Sequence, residues 1–144
     1  MADAQLYEES FAATQVLDQT YDRVHRVLGN SHDNATSFTL DVNSELYPIA
    51  ANENFQMLIA STLNLDGTKD EANQGWRGKR DADPTLADMW DYVCYGKVYR
   101  VEDVGEGDQI KVYISFGGLL LCLQGPYKKL SPLKIDYVYL LLKK

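Results

Sequence analysis

The chain has 144 residues, 45% of them hydrophobic, which suits one folded domain spanning residues 1–144 with a sizeable core. Its formal net charge of -7 at pH 7 argues against broad electrostatic binding to nucleic acid, since that binding needs a basic surface. No apolar run approaches the ~20 residues of a membrane-spanning helix, and the first residues resemble no secretion leader, so we expect an intracellular protein without a membrane partner.

Eight segments have the sequence pattern of β-strands. Residues 37–43 alternate, with Phe38, Leu40 and Val42 on one side and polar residues on the other, as expected of a strand buried on one face. The other predicted strands are residues 6–16, 23–28, 54–65, 91–102, 109–116, 119–124 and 135–142. Many short strands favour a sandwich or barrel, and a closed barrel removes the exposed edges that promote aggregation. We therefore predict an all-β fold, an eight-stranded antiparallel barrel.

Glycine-containing turns separate many of these strands. They are predicted at residues 28–31, 105–108, 116–118 and 125–126. One or two short helical turns are predicted as well, at residues 44–47 and at residues 83–90, where Asp83 suits an N-cap and Pro84 the first helical position.

Residues 66–83 are rich in Gly, Asn, Lys, Asp and Glu, and Trp76 is the one large apolar residue among them. Such a segment buries too little apolar surface to offset an ordering cost of ~1 to 2 kcal/mol per residue. We predict a long mobile loop that needs a partner to order it, with Trp76 as the anchor.

The last predicted strand is apolar on both faces. Val138, Leu140 and Leu142 share one face, and the other face carries Ile135, Tyr137, Tyr139 and Leu141. A strand buried on one side alone would show polar alternation, so its outer face should contact another segment of this chain or a partner protein. Residues 119–123 have the same character. This pattern suggests an obligate protein partner.

No catalytic, cofactor or metal site is predicted. His25 and His32 lack acidic or thiol companions at ligand spacing, and no acid, base and nucleophile set converges. Cys94 and Cys122 each lie in an apolar strand segment without the close pairing of a zinc or redox motif, so they are predicted to be buried free thiols.

Aromatic residues on the later strands admit two interpretations. Tyr92, Tyr95, Tyr99, Tyr113, Phe116, Tyr137 and Tyr139 lie near Lys97, Arg100 and Lys111. Rings beside cations can stack single-stranded bases, as barrels that bind nucleic acid do. Tyrosines also suit half-buried strands and protein interfaces, and the acidic net charge favours that second interpretation.

Five motifs carry a resemblance to a known family. They are Leu40-Asp41-Val42-Asn43, Leu63-Asn64-Leu65, Leu86-Ala87-Asp88, Tyr95-Gly96-Lys97-Val98-Tyr99 and Ser115-Phe116-Gly117-Gly118-Leu119-Leu120. In their order and approximate spacing the chain resembles, over nearly its whole length, the common subunit of the nuclear RNA polymerases I, II and III, counted as the eighth subunit of polymerase II.

The resemblance implies an eight-stranded antiparallel barrel related to the OB-fold, located in the nucleus, including the nucleolus. It implies a non-catalytic component of the DNA-directed RNA polymerase complex, without a cofactor of its own. The implied partners are the largest subunits of the three polymerases and other polymerase subunits, with any nucleic acid contact indirect. The alternative function is a freestanding module that binds single-stranded nucleic acid.

A partner interface is predicted at Tyr95, Gly96, Lys97, Phe116, Gly117, Gly118 and Leu119. Glycine lets a partner backbone approach closely, which is the reason for choosing these positions. The alternative is that the glycines only shape a bulge and a hairpin corner, and that recognition depends on side chains around them.

Overall fold

The computed structural model describes residues 5–18, 23–62, 86–105 and 107–144, and these residues form eight β-strands. The strands are β1 (Gln5–Asp18), β2 (Val24–Ser31), β3 (Ser37–Asn43), β4 (Asn54–Ala60), β5 (Tyr92–Asp103), β6 (Gln109–Phe116), β7 (Leu119–Pro126) and β8 (Tyr137–Lys143). A short 3₁₀ helix covers Leu86–Met89, and a single turn of α-helix, α1, covers Tyr127–Leu130.

The strands close into a barrel in the order β1-β2-β3-β7-β6-β5-β8-β4, and every pairing is antiparallel. Strands β1 to β3 form one meander and β5 to β7 a second, joined through the β3–β7 pairing and, on the other side, through β8 and β4. The predicted eight-stranded antiparallel barrel is confirmed. Because the sheet is closed, recognition by this barrel depends on side chains rather than on an unpaired edge strand.

Three phenylalanines form the centre of the core. Phe11, Phe38 and Phe55 are almost fully buried, and their ring centroids lie 5.0 to 6.0 Å apart. The Phe11–Phe38 and Phe38–Phe55 pairs meet edge to face, the arrangement that the charge distribution of aromatic rings favours. The inward face that alternation assigned to Phe38 is confirmed.

Two predicted glycine turns are wrong. Gly29 lies inside β2, where an added Cβ would be 2.7 Å from the Phe38 ring and closer still to the carbonyl oxygen of Ala12. Gly125 lies inside β7, where an added Cβ would be 2.6 Å from Thr36 Oγ1. Both glycines permit close contact with a neighbouring segment, and neither makes a bend.

The helical turns agree with prediction in one place and differ in another. The predicted turn at residues 83–90 corresponds to the 3₁₀ helix at Leu86–Met89. At residues 44–47 the chain makes a turn rather than a helix, in which the Asn43 carbonyl accepts the N–H groups of Leu46 and Tyr47. The α1 turn was not predicted, and the predicted loop at residues 66–83, including Trp76, lies outside the described residues.

A second, smaller apolar cluster lies on the outer face of the barrel. Leu58, Ala60 and Leu141 are buried there, with Trp90, Val93 and Tyr139 packed against them. Part of the apolar outer face of β8 is therefore buried within this chain and needs no partner. Leu141 is covered by other parts of the same chain, whereas Tyr137, four residues earlier on the same face of β8, remains more than half exposed.

Candidate partner interface

The predicted interface residues meet where β5 passes the corner between β6 and β7. Lys97 pairs with Ser115 on one side and with Tyr137 on the other, and Phe116 pairs with Leu119 across the corner. The structure thus brings the two predicted segments together, although they are about twenty residues apart in sequence.

Gly96 is the residue that joins the two segments. An added Cβ would lie 2.5 Å from Cδ1 of Phe116 and closer still to the carbonyl oxygen of Ser115. The close approach that this glycine permits is therefore made by β6 of its own chain. Phe116 is buried against it and belongs to the barrel core.

Gly117 and Gly118 form the two-residue corner between β6 and β7, with φ values of 64° and 99°. Positive φ at both positions is the requirement of a type I′ hairpin turn, which L-residues with side chains rarely meet. Both glycines are exposed, and no heavy atom lies within 4 Å of an added Cβ at either position. The hairpin geometry explains the glycine pair, and a partner contact at this corner stays a prediction.

Tyrosines and cations cover the outer face of β5, β6 and β8, and we call this surface the tyrosine face. It consists of Tyr95, Lys97, Tyr99, Arg100, Tyr113, Tyr137 and Tyr139. The Tyr95 and Tyr137 rings stack at a centroid distance of 5.6 Å and an angle of 8°. Lys97 Nζ lies 5.4 Å from the centre of the Tyr137 ring, within cation–π range.

Two of the seven aromatic residues that the sequence analysis grouped together lie inside the barrel and not on the tyrosine face. Phe116 points into the barrel, and so does Tyr92, whose ring stacks on Tyr47 at 5.3 Å. The Tyr92 hydroxyl accepts a hydrogen bond from the N–H of Asn43 at 3.4 Å. Strand alternation separates these two residues from the other five, and burial raises the pKa of the Tyr92 hydroxyl.

Asp41 connects three strands, a role that sequence reasoning missed. Its carboxylate accepts hydrogen bonds from Arg26 at 2.8 and 3.2 Å and from the N–H of Leu120 at 3.1 Å. Asp41 is buried, and its hydrogen bond raises the pKa of Arg26. The cross-strand pairing of Arg26 with Asp41 could have been inferred once the β2–β3 register was known.

Replacing Asp41 with alanine is expected to lower the free energy of unfolding by about 2 to 3 kcal/mol, because it removes three charge-assisted hydrogen bonds and leaves the Leu120 N–H without its acceptor. Urea unfolding measures the change. The matched control is Glu45→Ala, since the Arg23–Glu45 ion pair is largely exposed, and its loss should cost less than about 1 kcal/mol. Equal effects of the two substitutions would contradict the assigned role of Asp41.

Lys129 forms ion pairs that link α1 to the meander of β1 to β3. Its ammonium group lies 2.8 Å from a carboxylate oxygen of Asp33 and 3.3 Å from one of Glu9. Asp33 also accepts hydrogen bonds from the Ser31 hydroxyl and the N–H of Ala35. These bonds, that from Lys129 foremost, hold the pKa of Asp33 well below its ordinary value, and the bond to Asp33 raises the pKa of Lys129.

The lowered pKa of Asp33 predicts a pH dependence of stability. Its contribution is fully present above the unfolded-state value near 3.8 and is lost as the pH falls toward the lower folded-state pKa. Asp33→Asn should therefore lower the melting temperature at pH 7, and its difference from the parent chain should shrink as the pH falls from 4 to 2. A difference in melting temperature that is constant over this range would contradict the prediction. In a chain that already carries Lys129→Met, Asp33→Asn should lower the melting temperature at pH 7 by less.

The cysteines and histidines form no common site in the described part of the chain. Cys94 and Cys122 are free, as predicted, but they are half-buried rather than buried, and burial raises the pKa of each thiol. His32 is exposed, and His25 lies half-buried on β2. Within the described ranges, no group of three or more His, Cys, Asp or Glu residues could hold a metal ion. None of the helices described is long and apolar enough to cross a membrane.

Comparison with known proteins gives consistent matches over most of the chain. The model of the family described as RNA polymerase Rpb8 matches residues 8–144. A Schizosaccharomyces pombe protein named DNA-directed RNA polymerases I, II, and III subunit RPABC3 is 38% identical over 144 residues, which cover 100% of both chains. The Saccharomyces cerevisiae protein of the same name is 39% identical over 96% of this chain and 97% of its own.

A plant relative carries a different name. The Arabidopsis thaliana protein DNA-directed RNA polymerases II, IV and V subunit 8B is 40% identical over 126 residues, covering 86% of this chain and 84% of its own. The names of these relatives thus agree on polymerase membership and differ in the polymerases that they specify.

Proposed function

The chain belongs to the RNA polymerase Rpb8 family, and we propose that it is a non-catalytic subunit shared by the DNA-directed RNA polymerases I, II and III. The observation that supports this most directly is the end-to-end similarity to a fungal relative with that name. Because the match covers the full length of the relative, the likeness is not limited to a shared module.

We further propose that the chain docks on the largest subunit and stabilises the assembled polymerase, in the nucleus including the nucleolus. A closed barrel with a rigid core is suited to this role, since little ordering cost is added when its preformed faces meet a partner. The predicted contact at the corner of Tyr95, Gly96, Lys97, Phe116, Gly117, Gly118 and Leu119 belongs to this proposal. Of these residues, Tyr95 and Lys97 offer exposed side chains, whereas Gly96 and Phe116 support the surface from below.

The alternative, a freestanding module for single-stranded nucleic acid, has less support. Such modules track the phosphate backbone with a positive groove, and this chain carries a net charge of -7. The names of its relatives also place those proteins in polymerases rather than among freestanding binders.

Capture of the tagged full-length chain from nuclear extract of the source organism tests the proposal. At moderately high salt, which screens phosphate contacts more than apolar ones, we expect mass spectrometry to identify the largest subunits of all three polymerases. Recovery of one polymerase alone would restrict the proposed sharing. Recovery of none, with binding of a labelled single strand at low salt, would favour the alternative.

A further inference from the structure

We infer that the tyrosine face binds an acidic, partly apolar segment of a polymerase subunit, an inference that rests on the proposed function and adds the surface and the chemistry of its partner. The face lies on β5, β6 and β8 and extends well beyond the predicted corner. It adds five residues to those predicted for the interface: Tyr99, Arg100, Tyr113, Tyr137 and Tyr139.

Exposure is the first argument. Tyr95, Tyr99 and Tyr137 are 56%, 45% and 53% exposed, although each sits in a strand whose other face is packed in the core. Ile135, just before β8, and Leu120, at the start of β7, are exposed as well. Exposed apolar side chains that are scattered singly are ordinary, but neighbouring aromatic rings on one sheet face mark an interaction surface.

Charge is the second argument. The outer positions of β5 and β6 carry three cations, Lys97, Arg100 and Lys111, and one carboxylate, Glu102, which gives them a formal charge of +2 on a chain of -7. Asp136, just before β8, is a further acid near this face, and its carboxylate already accepts the N–H of Tyr137. A complementary partner is therefore acidic.

Ring geometry favours a protein segment over nucleic acid. A base platform needs a free ring face, but Tyr95 and Tyr137 stack on each other, and the cation of Lys97 lies over Tyr137. Arg100 lies over Tyr113 and pairs with Glu102. Ring edges and hydroxyl groups beside restrained cations suit carboxylate and apolar side chains of a peptide, a pattern that recurs in protein interfaces.

The experiment compares full-length variants in capture from nuclear extract. The test variants are Tyr95→Ser/Tyr137→Ser and Lys97→Glu/Arg100→Glu. The matched control is Tyr127→Ser/Lys128→Glu, because Tyr127 is 56% exposed, the same as Tyr95, and lies on α1 at the opposite end of β7. Circular dichroism melting of each variant shows whether the barrel is retained.

We expect each test variant to melt close to the parent chain and to capture at least about tenfold less of the polymerase largest subunits, while the control captures normal amounts. Overlapping synthetic peptides that tile the captured subunit then locate the contact. The bound peptide should be acidic, and Lys97→Glu/Arg100→Glu should abolish its binding.

Normal capture by folded test variants would overturn the inference and leave the proposed function intact. Binding of basic peptides only would overturn it too. So would test variants that lose binding of a labelled oligothymidine but still capture normal amounts of the polymerase subunits. Failure of the parent chain to capture any polymerase subunit would instead reject the proposed function, and with it this inference.

Discussion

A Gly96→Ala chain should lose about 3 kcal/mol or more of its free energy of unfolding, because the new methyl group would overlap the Ser115 carbonyl and the Phe116 ring. The backbone oxygen cannot move without separating β5 from β6, so the strain cannot be relieved by rotating a side chain. Such a loss is a large part of the 5 to 15 kcal/mol that stabilises a typical domain. Urea unfolding followed by circular dichroism measures it.

Gly117→Ala is the matched control for this prediction. Its added methyl group meets no heavy atom within 4 Å, and the cost comes from a φ of 64°, which should amount to about 1 to 2 kcal/mol. A larger loss at Gly117 than at Gly96 would contradict the assignment of Gly96 to internal packing. The amount of polymerase that the Gly96→Ala chain captures should fall in proportion to its unfolded fraction. The variants of the tyrosine face should instead lose capture while they remain folded.

Leu141→Ala is expected to cost about 3 kcal/mol, within the range for buried leucines, although Leu141 points away from the barrel interior. The side chain is fully buried with Leu58 and Ala60, and its removal would leave a cavity under Trp90 and Val93. This prediction tests whether the outer cluster contributes to the stability of the isolated chain. Thermal and urea unfolding of the variant give the value.

Leu120→Ala provides the comparison, since Leu120 also lies on the outer face but is 38% exposed. Its loss should stay below about 1 kcal/mol, because little buried volume is removed. If both leucine variants unfolded alike, the outer cluster would not be packed as described, and the apolar outer face of β8 would depend on a partner along its whole length.

Much of the barrel could be predicted because a half-buried strand leaves a period of two in its sequence. The predicted bounds of β3 and β6 agree with the structure at both ends. At β4 the predicted strand extended to residue 65, but the strand ends at Ala60. The errors at Gly29 and Gly125 have one cause: glycine marks either a turn or a close approach, and the approaching group belongs to another segment of the chain.

The site was predictable in part. The sequence grouped Tyr95 and Lys97 with the hairpin corner in one predicted interface, and it grouped the seven aromatic residues of the later strands without dividing them between the two faces. Alternation within β5 and β6 separates the buried pair, Tyr92 and Phe116, from the aromatics of the outer face, but it does not show which outer rings meet, because that depends on strand register. The connection of Asp41 to Leu120 joins residues 79 positions apart and leaves no local pattern.

The sequence by itself determined the all-β class, the number of strands, the hairpin at Gly117 and Gly118 and the family resemblance, because periodicity, turn chemistry and motif order are local properties of a chain. The tertiary structure alone decided the order of the strands around the barrel, the covering of Leu141 and the clustering of Tyr95, Tyr137 and Tyr139. Those features arise from pairings between segments that are distant in sequence. Only the closed barrel determines which of these segments pair.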